Sequence, residues 1–431
     1  MDFLIPQNKN IVDKKNIVDN NSINNNNLSN SIKKTVCFAT VCKNEAHCIL
    51  NTLESIYKYI DYWVICDTGS TDNTCEIINE FFKDKKIPGE LHMHEWKNFA
   101  HNKTLMFEKA YNKTDYILHF DSDDFIVGEL NMENMDFADK YLFNCKRGSS
   151  KFKASLLYNN RVRWKLISVC HTIINCLDKD NISTSEYFIR ENLYLDNEDR
   201  GARAQDPKKY HKDAMLLKQQ FWDTLYDDPD GILVRSCFYT AQSLMDSSQN
   251  EEALKWYCLY LKLQNTWIEE IYECYLRIAE ILIRLNKSFD EIERQINKSI
   301  EIFPDRSEGY CILALHCNNI KMQEKAYELF IKALEKDYVA VSKKYSLFIR
   351  PNMYGKYIYD ELSVSCYWTD RFEEGKRYLE KIINMPDFSN HRERFNTNLE
   401  HFTNKLKGIS PFDLAEPNVS RCETEPLSVL R

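Results

Sequence analysis

Apolar positions along the chain recur with two different periods, and the switch between them divides it. From Thr35, short apolar runs alternate with stretches of helical spacing. Thr35–Thr40 reads as a buried strand, and Glu45 to Tyr59 carries Ile49, Leu50, Leu53, Ile56 and Tyr57 on one helical face. Tyr62–Cys66 is a second strand, followed by a helix from about Asn73 to Phe82 that Thr71 or Asp72 can cap. Glu90–His94 gives a third strand, Phe99–Tyr111 a third helix and Tyr116–Phe120 a fourth strand. This alternation predicts a mostly parallel sheet covered on both faces. Beyond Phe125, Tyr141–Cys145, Phe152–Tyr158 and Ile167–Cys176 read as strands of a mixed or antiparallel region, and a helix is expected after Pro207.

From about residue 210 the period is helical throughout. Ala241, Ala279 and Ala314 stand on first helices. The second helices carry Ala253 with Tyr257, then Ile292 with Ile296 and Ser299, then Ala326 with Phe330 and Ala333. A weaker fourth copy runs through Ser363, Gly375 and Leu379 to Pro386. The spacing resembles tetratricopeptide repeats of roughly 34 residues, with an irregular helical bundle as the alternative. Before Thr35 the chain is polar and Asn-rich, including Asn24 to Asn27, too poor in apolar surface to offset its ordering entropy. The expected organisation is a disordered leader over 1–33, an α/β domain over 34–209, a helical-repeat domain over 210–405 and a tail over 406–431.

Length and charge narrow the function. A chain of 431 residues with 43% hydrophobic content supports two or three cores. A net charge of -8 without a basic stripe argues against a nucleic-acid partner. The 15 cysteines form no CxxC pair or disulfide framework, which suits reduced thiols in the cytoplasm. No apolar run reaches membrane-spanning length, and Met1–Asn10 lacks a signal-peptide pattern.

The candidate chemistry lies just after the strands. Lys43-Asn44-Glu45, Asp67-Thr68-Gly69-Ser70 and Asp121-Ser122-Asp123 each follow a strand. In a sheet of this kind, ligands bind at the carboxyl ends of strands, so the three clusters are expected on one edge. Two carboxylates one residue apart can present oxygens to Mg2+ or Mn2+. A solvated acidic turn is the competing reading. An EF-hand loop would need glycine where Ile126 stands. A phosphatase with an aspartyl nucleophile would carry its acids after the first strand, whereas three strands precede this motif.

The run from Thr35 to about Glu129 resembles family 2 glycosyltransferases of the GT-A fold. The residues that carry the resemblance are Val41 to Glu45 (VCKNE), Val64 to Thr74 (VICDTGSTDNT), Phe99 to Lys103 (FAHNK) and Ile117 to Asp124 (ILHFDSDD). It implies an α/β nucleotide-sugar-binding domain ahead of the all-α tetratricopeptide-like array. The same coupling is similar to a subgroup that includes glycosyltransferases of giant DNA viruses, which implies a host cytoplasm or virion location. By resemblance, Asp67 contacts the nucleotide base, Asn44 and Glu45 lie in the first nucleotide loop, and Asp121 faces ribose or metal. Asp123 is then the main metal ligand, and Thr40, Asn102 and Lys103 complete the donor-binding set. Lys103 stands where relatives often carry arginine, and so meets phosphate as a point charge.

The resemblance further implies an inverting transfer from a nucleotide-diphosphate sugar, with a UDP-sugar foremost, to a hydroxyl of a glycan or protein. It implies Mn2+ or Mg2+ as the cofactor. The segment from Trp164 to Thr172 matches a family stretch, but Thr172 replaces the glutamate after His171. The base is therefore open among Asp124, His171, Glu198 and Asp199, with His171 also a candidate metal ligand. Arg200 and Arg203 are candidates to approach the diphosphate. The competing function is an inactive scaffold whose repeats bind proteins or mediate self-association.

Overall fold

The computed structural model describes residues 34–130, 138–148, 150–177, 185–189, 193–197 and 200–408. The expected leader, residues 409–431 of the expected tail, and Glu198 and Asp199 lie outside them. β1 (Val36–Cys42), α1 (Ile49–Ile56), β2 (Tyr62–Asp67), α2 (Thr74–Lys85), β3 (Gly89–Met93), α3 (Phe99–Ala110) and β4 (Tyr116–His119) alternate as the periodicity predicts. The four strands lie parallel in the order β3-β2-β1-β4. Near-continuous burial along β1 and β2 is what a sheet covered on both faces requires. On one face Phe38 and Ile65 pack with Ile49, Leu53, Ile78 and Phe82 from α1 and α2. On the other, Ala39, Val64 and Cys66 pack with Met106 and Phe107 from α3. α1 starts at Ile49 rather than Glu45, because Glu45–Cys48 forms a turn in which the Glu45 carbonyl accepts from the N–H groups of Cys48 and Ile49.

The sheet then becomes mixed. β5 (Phe125–Val127), β6 (Lys140–Arg147), β7 (Ser150–Asn159), β8 (Trp164–Ile167), β9 (Ile173–Cys176), β10 (Glu186–Phe188) and β11 (Tyr194–Asp196) follow. β7 runs antiparallel to β4, and β6 antiparallel to β7. β11 and β10 run parallel to β6, and β5 antiparallel to β11. The expected strand Ile167–Cys176 is a hairpin of β8 and β9 instead. Ser168 and His171, at φ 72° and 49°, take the left-handed conformation that turns the chain between them.

α4 (Lys209–Thr224) is tied to this region. The Gln220 amide oxygen accepts from Val169 N–H at 2.6 Å, and its nitrogen donates to Ser168 Oγ at 3.1 Å. The chain divides into two compact units between Tyr239 and Thr240, within α5 (Leu233–Asp246).

The second unit is helical: α6 (Asn250–Tyr260), α7 (Ile268–Arg284), α8 (Phe289–Ile302), α9 (Glu308–Asn319), α10 (Gln323–Leu334), α11 (Tyr338–Lys344), α12 (Tyr359–Trp368), α13 (Phe372–Ile382) and α14 (Arg392–Leu406). α7 pairs with α8, α9 with α10 and α12 with α13, as in tetratricopeptide repeats. The small residues sit where helices meet: Ala279, Ser299, Ala314, Ala326, Ala333 and Ser363 are buried. A Cβ at Gly375 would lie 2.5 Å from the Phe402 ring and 2.8 Å from Cys366 Cβ, so α13 needs glycine there.

One segment of this unit departs from the repeat pattern. Tyr345 to Tyr354, between α11 and α12, is held along its main chain by helix side chains. Glu269 of α7 accepts from the N–H groups of Ser346 at 3.0 Å and Leu347 at 2.6 Å. Arg306 donates to the carbonyls of Leu347 and Phe348, and Glu308 accepts from Arg350 N–H at 3.0 Å. Arg350 in turn pairs with Glu273 at 2.9 Å and with Glu280. Arg306 and Glu308 are wholly buried and paired at 3.0 Å.

Candidate active site

The three polar clusters do meet at the carboxyl edge of the parallel strands. The turns after β1 and β2 are joined. Asn44, at φ 57°, donates from its N–H to Ser70 Oγ at 2.8 Å and accepts from Thr71 N–H at 2.7 Å. Glu45 N–H donates to Thr74 Oγ1 at 2.9 Å, and Asp72 accepts from Thr74 N–H at the first turn of α2. Asp67, expected to meet a base, is fully buried. One carboxylate oxygen accepts from Gly69 and Ser70 N–H, both at 2.8 Å, and the other from the Ser70 hydroxyl and the Cys42 thiol. Both oxygens therefore serve its own turn, whose Gly69 at φ 97° supplies the reversal.

After β4 the acids separate by burial. Asp121 has a side chain 54% exposed and meets Lys103 Nζ at 2.6 Å. The Lys103 charge holds its carboxyl below the usual range. Ser122 is buried, Asp123 half-buried and Asp124 buried. Burial, with the charges of Asp121 and Asp123, pushes Asp124 up to about 9, and it accepts from Asn197 Nδ2 at 2.6 Å. Asp124 thus keeps its proton at neutral pH, which does not suit a general base. Thr40 and Asn102 face inward. The Thr40 hydroxyl donates to the Phe120 carbonyl at 2.7 Å, and the Asn102 amide holds Glu95 and Lys97.

The segment after β11 returns to this edge. Gly201 N–H donates to Asp123 Oδ2 at 2.8 Å, and Ala202 N–H to Glu45 Oε2 at 3.2 Å. A Cβ at Gly201 would stand 2.7 Å from Asp123 Oδ2 and 3.0 Å from Glu45 Oε1, so glycine is needed for this approach. Burial raises the Glu45 carboxyl, and the nearby Asp123 charge adds to the rise. Arg200 pairs with Asp196 and lies 4.6 Å over the Phe125 ring. Arg203 pairs with Asp213 and lies 4.6 Å over Phe99, one helical turn before Lys103.

His171 sits elsewhere in the network. Its ring stacks on Tyr239 at 4.1 Å, and its carbonyl accepts from Arg235. Burial and the Arg235 charge push its imidazole down to about 4, so it is neutral. Among the described residues it does not join Asp121 and Asp123 in any set of three donors within 4.8 Å of one another. Such a set does exist at Glu45, His47 and Cys48. Sequence reasoning passed over His47, Cys48, Gly201 and Ala202. The one available signal was a glycine inside the charged run Asp199 to Arg203.

The Asp121 and Asp123 carboxylates are hard oxygen donors on one open edge, and they fit Mg2+ or Mn2+ by donor chemistry. No curated protein matches the sequence. Among solved structures, BtubC (BKLC) from P. vanneervenii is 14% identical, with 48% of this chain and 85% of that chain covered and a TM-score of 0.36. A tetratricopeptide repeat protein from Parabacteroides merdae is 12% identical, over 47% and 70% of the two chains, at a TM-score of 0.34. S. aureus TarS is 13% identical, over 63% and 89%, at a TM-score of 0.30. It is over residues 37–135, from β1 to beyond the acidic run after β4, that this chain matches a family model, and that family is glycosyl transferase family 2.

Proposed function

We propose that the first unit transfers a sugar from a nucleotide-diphosphate sugar to an acceptor hydroxyl, with inversion. The match over residues 37–135 carries this reading, because it includes the edge where Glu45, Lys103, Asp121 and Asp123 converge. Asp121 and Asp123 hold a divalent ion, Mn2+ or Mg2+. When bound, that ion supplies charge stabilisation to the departing diphosphate. Lys103, now engaged with Asp121, is positioned to turn to phosphate when the donor arrives. Arg203 is held beside it by the Phe99 ring and Asp213. Asn44 and Glu45 shape the nucleotide loop, while Thr40 ties β1 to the Phe120 carbonyl before the acidic run and Asn102 holds the Glu95–Lys97 segment.

Asp199 is the favoured general base, accepting the acceptor proton. Asp124 is buried and bonded to Asn197, and His171 stacks on Tyr239 and does not join Asp121 and Asp123 in a donor set among the described residues. Asp199 immediately precedes Arg200 and Gly201, whose backbone touches His47 and Asp123. A protein acceptor or partner fits the repeat unit, whose helix pairs build binding surfaces in proteins of this architecture.

A second reading, an inactive scaffold, is favoured by one observation: Asp67 has both oxygens occupied by its own turn. UDP-, GDP- and CMP-sugars, with and without Mn2+, separate the two. Thermal stabilisation by one nucleotide that needs metal and disappears in Asp123→Ala supports the transferase. No response to any donor, with partner binding intact, overturns it.

A further inference from the structure

Three donor residues lie together on the turn before α1, at the edge described above. Glu45, His47 and Cys48 each offer a ligand atom, all within 4.8 Å of one another. Cys48 Sγ is 3.1 Å from Glu45 Oε2. The turn that carries them is fixed, since the Glu45 carbonyl accepts from Cys48 N–H at 3.0 Å and Ile49 N–H at 2.8 Å. Glu45 and Cys48 are buried, and His47 is exposed, so the set has an open side.

A second observation concerns the tautomer of His47. Its Nε2 lies 2.8 Å from the Arg200 carbonyl oxygen. A carbonyl only accepts, so Nε2 carries the hydrogen and Nδ1 keeps its lone pair. A ring nitrogen donating to a backbone carbonyl leaves the other able to ligate, which is the usual support of a metal-binding imidazole. Glu45 has the same kind of outer support from Ala202 N–H at 3.2 Å.

We propose that Glu45, His47 and Cys48 bind a borderline divalent ion of the Zn2+ class, through a donor set distinct from the neighbouring Asp121–Asp123 pair. The mixture of sulfur, nitrogen and oxygen selects Zn2+ or Co2+ over Mg2+ or Mn2+, which prefer oxygen alone. Binding exchanges one proton for the ion: the Cys48 S–H bond breaks, the metal–sulfur bond forms, and the proton leaves to the buffer. Thiolate and carboxylate together then balance the two positive charges, and water completes the tetrahedron. The ion fixes the 45–48 turn, and His47 carries that constraint to the Arg200–Ala202 segment. This inference does not depend on the transferase reading.

The test uses the full chain, stripped of metal by a chelator and titrated with Co2+. The expected result is a thiolate-to-cobalt charge-transfer band that saturates at one equivalent and is displaced by Zn2+. Cys48→Ser removes the band, His47→Ala weakens Co2+ binding at least about tenfold, and Asp121→Asn leaves the band in place. Absence of the band from the wild type, or its survival in Cys48→Ser, overturns the proposal. Should Cys48→Ser not fold, His47→Ala decides, because its side chain is exposed: unchanged Co2+ affinity in that variant overturns the proposal equally. Donor hydrolysis with Mn2+, followed in the same variants, reports on the transferase reading independently.

Discussion

The same chemical groups are arranged in opposite ways in the two units. At the carboxyl edge of the sheet, acids crowd acids. Burial lifts Glu45 and Asp124, neighbouring carboxylates lift them further, and Asp121 stays half in solvent with one lysine. In the repeat unit, Glu273, Glu280 and Glu308 each face an arginine. Burial pushes Glu280 and Glu308 up, but Arg350 and Arg306 more than reverse it and hold them below the usual range. The difference separates two purposes. A network whose charges already cancel is structure, and breaking it exposes the uncompensated cost of burial. A cluster whose charges do not cancel has the electrostatics that a cation or substrate site requires.

The sharpest way to break this comparison is Arg306→Ala. It leaves Glu308 buried without its partner and frees the carbonyls of Leu347 and Phe348. A loss of about 3–5 kcal/mol is expected, read as a lower urea midpoint for the helical unit. Asp123→Ala is the opposite case. Sugar transfer is expected to fall at least about a hundredfold, while stability falls by about 1 kcal/mol, the worth of the bond it accepts from Gly201 N–H. Equal losses of stability in the two variants would end the distinction.

pH sharpens it further, because the signs differ. Glu280 and Glu308 titrate lower in the folded chain, so their contribution is complete above the ordinary glutamate value and is lost as pH falls through the folded values. Asp124 titrates higher when folded, so its contribution is complete below the ordinary aspartate value and is lost as pH rises toward about 9. Falling pH is therefore expected to weaken the helical unit, whereas in the sheet unit Asp124 gains as pH falls from about 9 until, below the ordinary imidazole value, the buried neutral His171 opposes it. The slope from Asp124 reaches at most about 1.4 kcal/mol per pH unit. Peptide-resolved hydrogen exchange in a urea series, with chelator present and intrinsic rates corrected, reads both units in one sample, and Asp124→Asn flattens the first slope. The smallest effect belongs to an exposed pair. Lys376→Ala removes a 3.7 Å contact with Glu380 and is expected to change stability by no more than about 0.5 kcal/mol.

Much of the framework was legible because period reports burial directly. The runs at Thr35–Thr40 and Tyr62–Cys66 announced β1 and β2 to within two residues, and the alanines at 279, 314, 326 and 333 announced helix pairs. The convergence of three clusters on one edge followed from strand–helix alternation alone. What stayed hidden depends on distance along the chain. Gly201 and Ala202 reach Asp123 and Glu45 across 78 and 157 residues. No local pattern carries such a contact. The hairpin turn at Ser168 and His171 was also missed, because Ser168 is no usual left-handed residue and the apolar run Ile167 to Cys176 masks the break. The burial of Asp67 could not be told from its sequence either, since a turn-forming and a ligand-facing aspartate look alike.

The segment Tyr345–Tyr354 has a consequence for how the helical unit comes apart. Stacked repeats ordinarily unfold as a row of dominoes, each unit sensing only its neighbours. Here Ser346, Leu347 and Arg350 are bonded to α7 and α9 across 77, 78, 42 and 70 residues. The segment therefore bolts the α9–α10 pair to the α7–α8 pair, and neither can fray without releasing it. A row of dominoes becomes a closed ring of dependence, and the array should melt in one sharp step where an unbolted one would melt from its ends.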